Sequence, residues 1–143
     1  MQAKDILTAK GPKVETIAAS ARLGEAIDSL ARLRIGALLV TDPDGQPCGM
    51  LSERDVVQLL AGAPTGFRET QVSEVMTSGL ITCGPETTVP QLMEIMTEKR
   101  VRHLPIVEAN ALLGILSIGD VVKHRMSEVR DEAEALKNYI SNS

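Results

Sequence analysis

Gly49-Met50-Leu51-Ser52-Glu53-Arg54-Asp55-Val56-Val57 and Gly114-Ile115-Leu116-Ser117-Ile118-Gly119-Asp120-Val121-Val122 share the pattern Gly-x-Leu-Ser-x-x-Asp-Val-Val, 65 positions apart. A match of that length and register marks an internal duplication, and the flanks extend it. Upstream, Arg34-Ile35-Gly36-Ala37-Leu38-Leu39-Val40 falls on Arg100-Val101-Arg102-His103-Leu104-Pro105-Ile106, and Thr16 falls on Thr82, both at an offset of 66. Farther back, Asp5-Ile6-Leu7-Thr8 resembles Glu74-Val75-Met76-Thr77 at an offset of 69. The offset drifts before the first strand and in a hairpin turn, where surface loops tolerate changes of length. The 143 residues therefore divide into repeat 1 (3–62), a linker (63–71), repeat 2 (72–126) and a C-terminal helical extension (127–143). The Gly/Pro-rich run Ala61-Gly62-Ala63-Pro64-Thr65-Gly66 leads into the linker.

Each half carries the same local signals. Val14 to Ala18 and Leu80 to Cys83 read as short first strands. A helix follows with Leu23, Ala26, Ile27 and Leu30 in one apolar stripe, matched by Val89, Leu92, Met93 and Met96, where Pro90 suits the first turn. Two strands come next: Gly36 to Thr41 and Cys48 to Leu51, joined by the turn Asp42-Pro43-Asp44-Gly45, then Leu104 to Glu108 and Leu112 to Leu116, joined near Ala109-Asn110. Ser52 and Ser117 are helix N-caps, and Asp55 and Asp120 fall in the first turn of the second helix. Each unit is β-α-β-β-α and, at roughly 55–60 residues, too small to bury much core alone. The expected fold is α/β (α+β): two such units packed sheet to sheet with pseudo-twofold symmetry, plus a C-terminal helix. In that helix Val129, Ala133, Leu136 and Ile140 recur at three- and four-residue spacing, an apolar seam that suits packing on its own chain or on a twin subunit.

Composition removes several classes of function. With 43% apolar and 24% charged residues the chain is an ordinary globular protein, and Phe67 and Tyr139 are its only aromatics. Stacked-base recognition of nucleic acid lacks its platforms, and a net charge of −4 lacks the footprint of a duplex binder. Apolar runs such as Ala37 to Val40 fall far short of the ~20 residues of a membrane span. Met1-Gln2-Ala3-Lys4-Asp5 has no basic region followed by an apolar run, so a cytoplasmic location is expected. Cys48 and Cys83 show no CxxC or Cys/His spacing, so neither a disulfide nor a zinc site is expected. His103 and His124 have no recognisable nucleophile or metal partner, Lys123-His124-Arg125 reads as a solvated helix face, and no Walker loop or GxGxxG is present. No catalytic residue and no metal is therefore expected.

The paired Gly-h-h-Ser-x-x-Asp segments (h apolar), with Arg102-His103-Leu104-Pro105 in the second half and Asp5-Ile6-Leu7-Thr8 and Val75-Met76-Thr77 as lead-ins, resemble a tandem pair of CBS domains. These are the cystathionine β-synthase type regulatory repeats, paired as a Bateman-type module. The resemblance runs from about residue 3 to about residue 125, as in small stand-alone CBS pairs. It implies a disk-like dimer of pairs, parallel or antiparallel, and adenosine-containing ligands bound in clefts between repeats.

Residue chemistry is compatible with that implication. Ser52 and Ser117 end a strand and open a helix, where unpaired amides and the positive end of the dipole suit a phosphate. Ionised Asp55 and Asp120 accept only, which suits a ribose diol whose hydroxyls both donate. The plainer account is an ordinary capping box with an acid at its third position, and the two roles can coexist. By analogy with the family, Arg102 supplies a planar fork for phosphate and His103 a donor beside it; the plainer account is solvated charge at a helix end with Lys99 and Arg100. Repeat 1 has Gly36 and Ala37 in those places. Its phosphate charge must come from elsewhere: Arg54, or Lys10, Lys13 and Arg22. Two unequal sites are expected. Thr16, Ile17, Ala18, Thr82, Cys83 and Pro85 would border the adenine, or else be simple sheet-edge residues. Met50 and Ile115 fit core.

The function these readings imply is an adenine-nucleotide sensor with no obligatory cofactor. Its ligand would be AMP, ADP or ATP, with NAD(H) or S-adenosylmethionine as further candidates. It would be a homodimer acting on a regulated protein through a change of shape. The alternative is a structural or protein-interaction dimer whose clefts hold no ligand.

Overall fold

The computed structural model describes residues 1–11 and 13–142. In chain order the elements are α1 (Ala3–Lys10), β1 (Thr16–Ala18), α2 (Leu23–Leu33), β2 (Ala37–Thr41), β3 (Pro47–Ser52) and α3 (Glu53–Ala61), then a 3-10 turn (Phe67–Glu69). There follow α4 (Val72–Val75), β4 (Thr77–Ser78), α5 (Val89–Lys99), β5 (His103–Glu108), β6 (Ala111–Ser117) and α6 (Ile118–Ser141). The mixed α/β class and the C-terminal helix are as expected. Two compact units emerge, Lys13–Ile81 and Met1–Pro12 with Thr82–Ser143.

In the first unit the sheet order is β1-β2-β3-β4, with β1 parallel to β2 and the other pairs antiparallel. The buried stripe of α2 (Leu23, Ala26, Leu30) packs with Leu38, Val40, Leu51, Val56 and Val72. The β2–β3 turn is tied by Asp42, whose Oδ1 accepts from the Asp44 and Gln46 amides at 2.9 Å each, while Gly45 takes the left-handed φ of 81°. The segment expected as linker is partly structured: Phe67 packs against the core, and the Arg68 guanidinium bonds Asp28 and the Gly24 carbonyl.

In the second unit β5 and β6 form an antiparallel hairpin closed by Ala109 and Asn110, both at positive φ as a tight two-residue turn demands. Thr88 caps α5, with Pro90 in its first turn. Val89, Leu92, Met96, Leu104, Ile106, Leu116 and Val121 are buried.

The duplication holds at the level of register. Ala37 faces Ser52 as His103 faces Ser117, and both hairpins slip register at the same place, after Val40 and after Ile106. Ile17 pairs Val40 in parallel as Cys83 pairs Ile106. Around that last pair the expectation of a strand over Leu80 to Cys83 fails, because only the single bridge at Cys83 forms. The cause is two prolines. In the first unit the Leu39 and Ala19 amides donate to the Glu15 and Thr41 carbonyls at 3.1 and 2.9 Å. The corresponding positions in the second unit are Pro105 and Pro85, which have no N–H to give. The two bonds that need no proline amide survive, Cys83 N–H to Pro105 O and Val107 N–H to Cys83 O. The first strand of repeat 1 is also shorter than expected, starting at Thr16 rather than Val14.

Packing trades the lead-in segments. Gln2 bridges Thr88 and the Ala3 amide donates to Thr87 O, so α1 docks on repeat 2. Gln71 bridges Arg22 and the Val72 amide donates to Ala21 O, so α4 docks on repeat 1. The glycine that opens each quoted segment makes room for the incoming lead-in. A Cβ on Gly114 would lie 2.6 Å from Leu7 Cδ2, and one on Gly49 would lie 2.5 Å from Met76 Sδ.

Candidate functional site

Both Ser-x-x-Asp segments sit at a strand-to-helix junction, and in both the two side chains and the backbone form a reciprocal cap. Ser52 Oγ accepts from the Asp55 amide at 3.2 Å, and Asp55 Oδ2 accepts from the Ser52 amide at 2.9 Å and from its hydroxyl at 3.1 Å. Ser117 Oγ accepts from the Asp120 amide at 3.1 Å, and Asp120 Oδ2 accepts from the Ser117 amide at 2.8 Å. The plainer role expected for these residues is therefore present at both ends. All four side chains remain half-buried rather than sealed in the core.

Each carboxylate also takes a bond from the lead-in that the other repeat contributes. Asp55 Oδ1 accepts from Thr77 Oγ1 at 3.3 Å. Asp120 Oδ2 accepts from Lys10 Nζ at 2.7 Å, and the same ammonium donates to Ile115 O at 2.8 Å. Burial works to raise the Asp120 pKa, but the bonds from Lys10 and Ser117, with the Lys10 charge, outweigh it and hold the carboxyl below its ordinary value.

Lys10 was expected to serve the first repeat; it sits instead on the acid of the second. Sequence reasoning missed this, and it missed Thr77, because the exchange of lead-ins leaves no trace in spacing. The other candidate cations of repeat 1 are mostly engaged: Arg22 pairs with Glu69, and Lys13 lies 3.2 Å from Glu15. Arg54 is exposed and makes no hydrogen bond or ion pair among the described residues, as is also true of the Arg102 guanidinium. His103 is half-buried directly across the ladder from Ser117.

The adenine-wall candidates divide by burial. Thr16, Ala18 and Thr82 are exposed, Ile17 and Pro85 half-buried, and Cys83 is buried at 8% exposure. The Cys83 side chain is thus a core group: burial pushes its thiol pKa up, against a lowering contribution from Thr87. Burial, then the charge of Asp42, raises the Cys48 thiol likewise, so neither cysteine has the character of a nucleophile. Met50 and Ile115 are half-buried. Pro85 also borders an open hollow with Gly84, Glu86, Thr87, Gln91 and Glu108, whose two carboxylates disfavour a phosphate there. Among the described residues no cluster of three or more His, Cys, Asp or Glu could hold a metal ion, and no helix is long and apolar enough to cross a membrane.

Two copies of one capped junction, each fronted by the same strand register, agree with a sequence-family match: the CBS-domain model fits residues 3–62 and again 72–127. The chain belongs to the CBS-domain family. It is 36% identical over 120 residues to the Arabidopsis thaliana protein "CBS domain-containing protein CBSX3, mitochondrial", covering 81% of this chain and 58% of that one. It is 32% identical to the Bacillus subtilis CBS domain-containing protein YhcV, covering 87% and 85%. Against several other curated relatives the chain spans less than two thirds of their length, down to 22% for the Arabidopsis CBS domain-containing protein CBSCBSPB1. Among solved structures, the CBS-domain containing protein ATU1752 from Agrobacterium tumefaciens matches with a TM-score of 0.83 at 44% identity, over 87% of this chain and 92% of that one. The CBS domain pair of protein MJ0100, crystallised with 5-methylthioadenosine and S-adenosyl-L-methionine, has the same fold at 22% identity, with a TM-score of 0.74 over 86% and 98% of the two chains.

Proposed function

We propose that this protein is a non-catalytic, cytoplasmic sensor of adenosine-containing ligands that acts as a homodimer on a regulated protein. AMP, ADP and ATP are the leading candidates, with NAD(H) and S-adenosylmethionine behind them. The observation that carries the reading is the pair of half-buried Ser-x-x-Asp junctions with unequal cationic surroundings. Asp55 and Asp120 offer acceptor oxygens to a ribose diol, and Ser52 and Ser117 offer a hydroxyl at a helix N-terminus to a phosphate. Arg102, with His103 as a donor beside it, and Arg54 in repeat 1 would bring positive charge toward that phosphate. Thr16, Ile17, Ala18, Thr82 and Pro85, with the Cys83 backbone, form the adenine side. Binding of adenosine derivatives by the MJ0100 pair supports the ligand class. Occupancy changes shape only insofar as the ligand prefers one arrangement over another.

Calorimetry with adenosine, AMP, ADP, ATP, NAD(H) and S-adenosylmethionine tests the proposal. Asp120→Ala is expected to weaken every ribose-containing ligand of that site about 10-fold or more, the loss of a charge-assisted bond. Arg102→Ala is expected to weaken AMP far more than adenosine. Equal losses would remove the phosphate role, and no heat with any ligand at millimolar concentration would remove the sensor.

The capping bonds favour a second reading, in which both junctions are purely structural and the protein is an interaction dimer. Absorbance separates the two. Phe67 and Tyr139 are the only aromatics, so carried-over nucleotide would dominate the 260 nm spectrum of the purified protein.

A further inference from the structure

We propose that the distal part of α6 forms a parallel, in-register two-stranded coiled coil with α6 of a second copy of this chain. Val121 is the last buried residue of this helix, and every described residue from Val129 onward is exposed. Along it Val122, Met126, Val129, Ala133, Leu136 and Ile140 are spaced 4, 3, 4, 3 and 4 residues apart. That is the 3.5-residue period of a two-helix seam rather than the wider stripe of a helix lying on a globular body. The body-facing side is a different one, carrying Val121, His124, Arg125 and Glu128. At about 100° per residue the seam lies roughly 100° round the axis from that side, clear of the helix's own unit. Val129 and Leu136, at one of the two alternating seam positions, are 48% and 60% exposed.

Charge selects the occupant and its direction. Glu132 and Lys137 flank the seam on opposite sides, five residues apart. In a parallel dimer that spacing sets Glu132 of each helix against Lys137 of the second copy, making two attractive pairs. An antiparallel dimer would instead set Arg130 against Lys137 twice, bringing like charges together. The other flanking pair of the parallel dimer, Arg125 against Arg130, is relieved because Arg125 is already bonded to Glu128 at 3.2 Å. Growth of the helix needs no new nucleus, since Ser117 and Asp120 cap its start on the folded unit.

The inference rests on the homodimer reading above, and the experiment separates the two. Sedimentation equilibrium of the full chain is expected to give twice the 15.3 kDa monomer mass. Val129→Lys with Leu136→Lys, both at exposed positions, should return it to monomer. Glu132→Lys alone or Lys137→Glu alone should weaken the dimer several-fold, and the double exchange should restore it. Under mild oxidation Ala133→Cys, at the seam, should cross-link two chains, whereas Asp131→Cys on the outer face and the parent chain, with Cys48 and Cys83, should not. A monomeric parent chain would sink both this inference and the homodimer reading. A dimer that survives Val129→Lys/Leu136→Lys unchanged would sink the coiled coil alone, and failure of charge exchange or of the Ala133→Cys cross-link would sink its parallel register.

Discussion

Removing the Lys10–Asp120 contact tests whether the lead-in of repeat 1 is held by the Ser-x-x-Asp junction of repeat 2. Lys10 Nζ bonds Asp120 Oδ2 at 2.7 Å and Ile115 O at 2.8 Å, with the two side chains 35% and 25% exposed. A charge-assisted bond with that much solvent is worth about 1 kcal/mol, less than a fully buried one. Asp120 also accepts from the Ser117 amide, the capping half of its role, worth about 1 kcal/mol. Lys10→Met should therefore cost about 1 kcal/mol and Asp120→Ala about 2 kcal/mol. The double variant should cost little more than Asp120→Ala, a coupling of about 1 kcal/mol. Urea unfolding at pH 7 measures all four corners of the cycle. Thermal melts should fall by roughly 3–5 °C per kcal/mol. The matching cycle of Thr77→Val with Asp55→Ala removes a neutral donor at 3.3 Å and should couple by less, about 0.5 kcal/mol. Additive losses in the Lys10 cycle would refute the contact, leaving α1 held on repeat 2 by its backbone bonds to Thr87 and Pro85.

Acid should unpick the same contact. The Asp120 carboxyl titrates below its unfolded value, so between the unfolded and folded pKa the unfolded chain binds the proton first and stability falls as pH falls. Urea midpoints from pH 7 to pH 3 should drop less steeply in Asp120→Asn than in the parent, and parallel curves would contradict this. Gly49→Ala should cost more than Gly114→Ala, about 2 against about 1 kcal/mol, in thermal melts. Its Cβ would meet the Thr77 carbonyl at 3.0 Å as well as Met76, whereas that of Gly114 meets only the mobile end of Leu7. Equal costs would mean that the backbone contact gives way. Finally, a thiol reagent at pH 7.5 should label buried Cys83 more slowly than half-buried Cys48, with urea abolishing the difference; fast labelling of Cys83 would place it outside the core.

Most of the fold was legible because it rests on local signals. Leu23, Ala26 and Leu30 predict α2 by period alone, Asp42-Pro43-Asp44-Gly45 and Ala109-Asn110 predict the turns by backbone chemistry, and Ser52 and Ser117 predict the helix starts. The strand expected over Leu80 to Cys83 does not form because its neighbours decide it. Apolar content suits a strand, but a strand needs donors across from it, and those belong to Pro105 and Pro85, which stand where Leu39 and Ala19 stand in repeat 1. Comparing the repeats position by position for lost amides, rather than for hydrophobicity, would have found this. Lys10 on Asp120 was not legible at all. No periodicity tells a lead-in helix that it docks on the other repeat, since the decision lies in shape: Leu7 fits over Gly114, and Met76 over Gly49.

That exchange gives the unequal repeats their physical meaning. Register, bulge and cap are the same in both, so the acids Asp55 and Asp120 occupy equivalent places. What differs is the lead-in each receives. Asp120 gets an ammonium, which lowers its pKa and shares its capping oxygen, while Asp55 gets a hydroxyl on the oxygen that the cap leaves over. A polar group drawn to Asp120 must therefore compete with, or be joined by, a charge that belongs to the other repeat. One drawn to Asp55 contends with neutral donors alone, the Ser52 amide and hydroxyl and the Thr77 hydroxyl. Each acid is thus bonded to the lead-in that precedes the opposite repeat, and the two junctions differ in the donor that the chain itself supplies to them.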